Sequence, residues 1–367
     1  MDTFGKMLKL TVFGESHGPA VGGVIDGMPS GVKIDLGSVQ KQLDRRRASA
    51  GISTARREKD IPEILSGVYN GMSTGTPLAF ILRNSDARRE DYDSLLDVPR
   101  PSHADYSGHI RFRGYEDRSG GGHFSGRLTA VLTFAGALAE DMLKEKGILT
   151  GTHIRRIGTA EDEPFDAVSP EKQLKALAEK KFPVLSAYAA KQMKEIIVDA
   201  ANEMDSVGGI TETAVSGLPA GYGEPFFDSL ESRISHAVFS IPAVKGIEFG
   251  AGFALADMKG SEANDPFVIR DGKIRTSTNH SGGINGGISN GMPIVFRTVL
   301  RPTPSIGIVQ KSVHMDSLRD TALTIEGRHD PCIVHRACPV IDAVTALVIA
   351  DVVMEAEGRN FFAGEAE

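Results

Sequence analysis

Gly67-Val68-Tyr69-Asn70-Gly71-Met72-Ser73-Thr74-Gly75-Thr76-Pro77-Leu78-Ala79-Phe80 returns late in the chain as Gly283-Ile284-Asn285-Gly286-Gly287-Ile288-Ser289-Asn290-Gly291-Met292-Pro293-Ile294-Val295-Phe296. Both copies read G-(V/I)-x-x-G-(M/I)-S-x-G-(T/M)-P-(L/I)-x-F. A second pair keeps the same order: Gly27-Met28-Pro29-Ser30-Gly31 and Gly217-Leu218-Pro219-Ala220-Gly221 each follow a strand-like run. Helical patterns come next, around 36–46 and 228–239, and each half closes on an apolar helix, roughly 127–145 and 339–355. Two related halves, roughly 1–150 and 200–360, within a single domain over 1–367 account for this order. Long apolar helices need cover on most sides, and short strands with turn signals such as Asp271-Gly272 favour antiparallel pairing. The expected fold is therefore α+β: a helical layer sandwiched between antiparallel sheets, in two pseudo-symmetric halves.

Within the first half, Met7-Leu8-Lys9-Leu10-Thr11-Val12-Phe13 and Ala20-Val21-Gly22-Gly23-Val24-Ile25-Asp26 read as strands. Between them lies Gly14-Glu15-Ser16-His17-Gly18. A histidine on a short turn between rigid strands is aimed at little entropic cost. On this pentapeptide alone, a polar turn and a catalytic turn explain the residues equally well.

Bulk composition narrows the class. The 367 residues are 41% hydrophobic and 24% charged, as in a soluble globular protein. No basic segment followed by an apolar core opens the chain, and the apolar stretches near 130–139 and 343–354 look too short to cross a bilayer. The only cysteines, Cys332 and Cys338, are neither a CxxC pair nor half a zinc ribbon; a cytoplasmic location follows. A formal charge of −7 argues against general nucleic-acid binding, and no membrane partner is expected.

Two nucleotide-like spacings fail. Gly121 to Leu128 has P-loop spacing but ends in Arg-Leu where Lys-Ser/Thr is needed, and Gly250-Ala251-Gly252 meets Leu255 where a dinucleotide fingerprint needs its third glycine. The glycine run before the apolar helix, Arg118 to Arg127, still offers backbone N–H groups for an anion. Arginines gather at Asp44-Arg45-Arg46-Arg47, Arg100-Pro101-Ser102-His103-Ala104-Asp105-Tyr106 and Gly327-Arg328-His329-Asp330-Pro331-Cys332. Guanidinium forks suit carboxylates and phosphates, and histidine is the usual proton donor near neutrality. A small, highly anionic substrate handled by proton transfer fits this set. No H-x-x-x-H or Cys/His cluster supports a metal.

These segments together resemble the chorismate synthase family. The match is carried by GESHGPAVGGVIDGMP (Gly14 to Pro29), by Gly122 to Leu138 and by Arg328 to Cys332, with Asn279 to Gly283 and Arg301-Pro302-Thr303-Pro304-Ser305 in support. The motifs keep the family's order from about residue 4 to 355. The resemblance implies a phosphate lyase that converts 5-enolpyruvylshikimate 3-phosphate to chorismate and phosphate. It further implies a 1,4-anti elimination that needs reduced FMN without net redox change, and a homotetramer. The flavin could be reduced by this chain or by a separate reductase; no extra domain for that activity is visible in the sequence, so a separate reductase, with NADPH as the indirect reductant, is the expectation. Carried over by position, His17 would protonate the departing phosphate, His103 would stabilise the reduced flavin, and Asp330 would help move the proton at its N5. Ser16, Arg46, Arg127 and Arg328 would hold substrate. His123, Phe124, Ser125, Pro242, Ala243, Gly286, Arg301, Pro302, Thr303, Pro304, Ser305 and Arg328 would contact flavin. The chain departs from the family after Arg47, where Ala48-Ser49-Ala50-Gly51-Ile52 lacks a basic residue often linked to anion binding and Arg56 or Arg57 is the candidate substitute. Two other readings compete: a flavin oxidoreductase using the same cradle for hydride transfer, and a non-catalytic flavin- or anion-binding protein.

Overall fold

The computed structural model describes residues 2–48, 52–53, 58–85, 97–325 and 330–361. The first half contains β1 (Thr3–Phe4), β2 (Lys9–Gly14), β3 (Ala20–Asp26), α1 (Leu36–Arg46), β4 (Pro62–Ile64), the hairpin β5 (Val68–Tyr69) and β6 (Met72–Ser73), β7 (Leu78–Arg83), α2 (Asp105–Phe112) and α3 (Thr129–Glu145). Its sheet has the order β1-β2-β3-β7-β4, antiparallel throughout. Asp35 starts α1 because its carboxylate accepts the N–H groups of Gly37 (2.9 Å) and Ser38 (3.1 Å).

The second half runs β8 (Leu149–Ile157), β9 (Ala160–Glu161), α4 (Glu171–Leu177), α5 (Ala187–Asn202), β10 (Gly209–Ser216), α6 (Leu230–Val238), β11 (Val244–Phe249) and α7 (Gly260–Ala263). Three hairpin strand pairs and a long strand follow: β12 (Phe267–Arg270) with β13 (Lys273–Thr276), β14 (Ile284–Asn285) with β15 (Ile288–Ser289), β16 (Ile294–Leu300), and β17 (Gln310–His314) with β18 (Arg319–Leu323). Helix α8 (Val334–Asn360) closes the fold. The second sheet has the order β11-β16-β10-β8-β9.

Read from its other end, the second sheet repeats the first: β8, β10, β16 and β11 take the places of β2, β3, β7 and β4. The repeated sequence builds the same contact twice. Ser73 Oγ accepts from Val32 N (2.9 Å) and donates to Pro29 O, while Ser289 Oγ accepts from Tyr222 N (3.0 Å) and donates to Pro219 O (2.7 Å). In each half this serine pins the G-x-P-x-G turn to the small hairpin. The second sheet begins at Leu149, earlier than the internal repeat alone marks the second half. At Asp271-Gly272 both residues have positive φ, 51° and 71°, the geometry of a tight hairpin.

Helices α1, α3, α6 and α8 form the layer between the sheets, with α3 against β2, β3 and β7 and α8 against β8 and β10. The apolar stretch at 343–354 lies in a helix of 27 residues, longer than expected and long enough to cross a bilayer, but 89% of its most apolar window is buried inside the protein. Its apolar residues face protein on most sides, as a central buried helix requires. Helices α3 and α8 meet at Gly136, where a Cβ would lie 2.2 Å from Ala343 Cβ and 2.3 Å from its Cα. Gly136→Val should therefore part the two helices and cost about 1–3 kcal/mol, read as a lower denaturant midpoint.

Between β8 and β10, His153 is wholly buried, with Nδ1 3.0 Å from Asp162 and Nε2 3.2 Å from Glu212. Burial disfavours the imidazolium, but the two carboxylates outweigh it and raise the pKa above the ordinary 6.5. Burial likewise opposes the Asp162 carboxylate, yet His153 and the Leu185 and Ser186 amides hold its pKa below 3.8. The histidine's contribution is thus complete below 6.5 and lost as pH climbs through its raised value, whereas that of Asp162 is lost in acid. The stability gap between the wild type and His153→Gln should narrow as pH rises past the ordinary histidine value, measured by urea unfolding across a pH series.

Candidate active site

Register between β2 and β3 pairs Gly14 with Val21, and Glu15 to Pro19 forms the tight connection that carries Ser16 and His17. Both are buried. Ser16 N–H donates to Gly122 O (3.0 Å), tying the turn to the glycine run. Ser16 Oγ lies 2.6 Å from His17 Nδ1. Ser16 Oγ also donates to Ser119 O (3.5 Å), so in the imidazolium that a general acid requires Nδ1 donates to the hydroxyl oxygen and Nε2 carries the second proton. Glu15 contributes through its backbone: its carbonyl accepts from Gly18 N (3.1 Å) and from Asn84 Nδ2 (3.0 Å).

The glycine run does not lead straight into a helix. Gly120, Gly121 and Gly122 have φ of 63°, 104° and 51°, incompatible with a right-handed helix. Two short 3-10 turns, Ser119–Phe124 and Gly126–Leu128, therefore precede α3, and Ser125 Oγ accepts the Arg127 N–H (3.2 Å). A Cβ on Gly120 would lie 2.0 Å from His17 Cε1, and one on Gly121 would lie 3.2 Å from His103 Cε1 and Nε2. The two histidines, far apart in sequence, thus pack against neighbouring glycines of one turn.

His103 is held from the other side. Its Nδ1 lies 2.5 Å from Asp105 Oδ1 and 3.2 Å from Arg100 Nη2. Arg100 donates to both Asp105 oxygens, Nε to Oδ2 and Nη2 to Oδ1, each at 2.8 Å. Burial disfavours the Asp105 carboxylate, but hydrogen bonds from Arg100 and His103 outweigh it and hold its pKa far below the usual range. Asp105 thus stays ionised and fixes the ring so that Nε2 faces Gly121.

Behind the His17 turn lies a buried charge cluster. Asp60, at φ 50°, accepts from Arg46 Nη2 (2.7 Å) and from Arg127 Nη1. Burial pulls the Arg46 pKa down to about 10 despite Asp60, with Arg336 and Arg127 adding to the fall; it remains a cation at neutral pH. Burial also opposes the Asp60 carboxylate, but Arg46 and Arg127 hold its pKa down. Arg336 pairs with Asp330 and donates from Nε to Arg46 O (3.0 Å). Three guanidiniums therefore face two carboxylates in this cluster. Arg127 points inward, its Nε on Asn84 Oδ1 (2.8 Å), so its observed partners are protein groups. Asp60, Asn84, Asp105 and Arg336 are missing from the set of site residues taken from sequence. Only Asp105 carried a signal there, two residues from His103.

The expected flavin segments partly converge. Arg301 N–H donates to Ala243 O (2.9 Å) and Arg301 Nη2 to Ser102 O (2.6 Å), placing both 242–243 and 301 beside the His103 loop. Ser206 Oγ donates to Thr303 O (2.7 Å). Arg301 Nε and Thr303 Oγ1 are among the buried side-chain atoms without a hydrogen-bond partner in the described residues. His123 Nδ1 bonds Gly14 O (2.8 Å), and Phe124 lies over Gly108 of α2. Gly286 turns the β14–β15 hairpin of the second half, where neighbouring Gly287 packs on Glu224 and Ser229. Arg328 lies outside the described residues, as do Ser49 to Gly51, Arg56 and Arg57.

Two histidines thus pack over one glycine turn, with buried guanidiniums behind it. The chorismate synthase family profile matches residues 8–354, and the chain belongs to the chorismate synthase family. It is 47% identical over 351 residues to the chorismate synthase of Methanosarcina barkeri, covering 95% of each chain. Against that of Dehalococcoides mccartyi it is 43% identical over 361 residues, 97% of each. A crystal structure of chorismate synthase superposes with a TM-score of 0.77 at 28% identity, covering 97% of this chain and 94% of the other. The chain is accordingly a phosphate-eliminating lyase of the shikimate pathway, forming chorismate from 5-enolpyruvylshikimate 3-phosphate.

Gly120→Ala should drive a methyl group into the His17 ring and cost on the order of 10²-fold in turnover. The thermal midpoint should move far less than the rate; activity and melting curves measured together test this.

Proposed function

We propose that the turn bearing Gly120 and Gly121, with His17 on one glycine and His103 on the next, is where phosphate leaves the substrate in a 1,4-anti elimination. That juxtaposition carries the reading. His17 Nε2 donates a proton to the phosphate oxygen as the C–O bond breaks, with Ser16 orienting the ring. Arg46, backed by Asp60 and Arg336, supplies the positive field for substrate anions, with Ser16 and Arg328 as the other substrate contacts. Arg127 serves from behind, by holding Asp60 and Asn84.

Reduced FMN fits the strip formed by Pro242, Ala243 and Arg301 to Ser305, where the orphaned Arg301 Nε and Thr303 Oγ1 await polar partners. Held there, the flavin would supply transient electron donation, with no net redox change in the elimination. His103, kept in place by Asp105 and Arg100, stands beside that strip to stabilise the reduced flavin. His123, Phe124, Ser125, Gly286 and Arg328 complete the proposed flavin contacts, and Asp330, held by Arg336, takes the ring proton onward.

A homotetramer is supported by large exposed apolar side chains on the second half, among them Phe226, Phe227, Phe253, Phe267 and Ile269. Free, buried Cys332 and Cys338 accord with a cytoplasmic setting. A separate reductase drawing on NADPH supplies the reduced flavin in this reading.

Anaerobic incubation with substrate and reduced FMN should release phosphate and chorismate in equal amounts. His17→Ala should turn over about 10²–10⁴-fold more slowly. A near-normal rate in that variant removes the general-acid role, and consumption of reductant in step with product replaces the lyase reading with an oxidoreductase one.

A further inference from the structure

Asn84 follows the last residue of β7, where the first sheet passes the His17 turn. Its side chain touches both functional parts of the site. Nδ2 donates to Glu15 O (3.0 Å) and to Gly18 O (2.7 Å), so one amide group closes the Glu15–Gly18 turn from outside. Oδ1 accepts from Arg127 Nε (2.8 Å). Its backbone N–H donates to Pro19 O (3.2 Å), one residue beyond the turn. Arg127 continues the chain of contacts to Asp60 and thence to Arg46.

We propose that Asn84 is the positioning residue that fixes the His17 turn relative to the buried guanidiniums, so that proton donor and anion field act on the same phosphate. The proposal rests on the role assigned above to His17. Only an amide side chain meets both demands. Two donors must face two carbonyl oxygens, while an acceptor must face a guanidinium. A carboxylate would serve Arg127 better, as a charge-assisted bond, but would set negative charge against the Glu15 and Gly18 carbonyls. An aliphatic side chain would release both.

The two demands separate experimentally. Asn84→Asp keeps the acceptor and loses the donors; Asn84→Ala loses both. If Asn84 positions the turn, both variants should lower kcat by about 10²-fold, with KM for the substrate changed far less. The decisive measurement is a double-mutant cycle with His17→Ala, under anaerobic turnover with reduced FMN. Once the imidazole is gone, its placement is immaterial, so the double variant His17→Ala/Asn84→Asp should match His17→Ala alone within about twofold. A merely structural Asn84 would slow both backgrounds by the same factor, and that additive result overturns the proposal. So does an Asn84→Asp enzyme with wild-type kcat, which would leave Arg127 as the only group served. Should Asn84→Asp not fold, Asn84→Ala enters the same cycle with the same two outcomes. A normal rate for His17→Ala by itself would instead overturn the general-acid reading, and this proposal with it.

Discussion

The close crossing of α3 and α8 at Gly136 and Ala343 is the constraint on which the rest depends. Each helix lies under one sheet, and their contact makes two half-cores into one. It also sets the polar chemistry of the layer. With α8 enclosed on most sides, its buried acidic residues need partners. Asp342 faces Arg45 of α1, and Asp351 accepts the amides of Lys6, Met7 and Leu8 as well as Arg233 of α6. Asp351 thereby ties the start of the chain, and with it β2 and the His17 turn, to the central helix.

The halves are alike in their sheets and unlike in their connections, and the site lies where the likeness fails. In the first half β2 passes to β3 through the few residues that carry Ser16 and His17. The corresponding passage from β8 to β10 takes in β9, α4 and α5. The same strand scaffold thus holds the short His17 turn once and a helical insertion once. A short, strand-anchored turn suits a proton donor because little conformational freedom remains to be lost when substrate binds.

Much of the fold was legible because it rests on local periodicity and turn chemistry. The paired Ser73 and Ser289 motifs, Asp271-Gly272 and the apolar helices each signal their structure within a few residues. Where the reading fell short, the missing information was not local. The extent of α8 depends on cover from the second sheet and from α1, α3 and α6, and the break between the glycine run and α3 follows from left-handed backbone at Gly120 to Gly122. For the site, His17, His103 and Arg46 stood out by residue type and motif. Asn84, Asp60 and Arg336 did not, since each acts through a partner distant in sequence.

Sequence alone determined the family, the repeated motifs of two related halves, the helical layer and the identity of the proton-transfer candidates, because these follow from residue type and local motif. Tertiary structure alone decided that His17 and His103 share one glycine turn and that Asp105 braces the second. It also turned Arg127 inward onto Asp60 and Asn84. The reason is physical: hydrogen bonds and ion pairs that aim a side chain join residues scores of positions apart, and only the packed sheets and helices bring those partners within bonding distance.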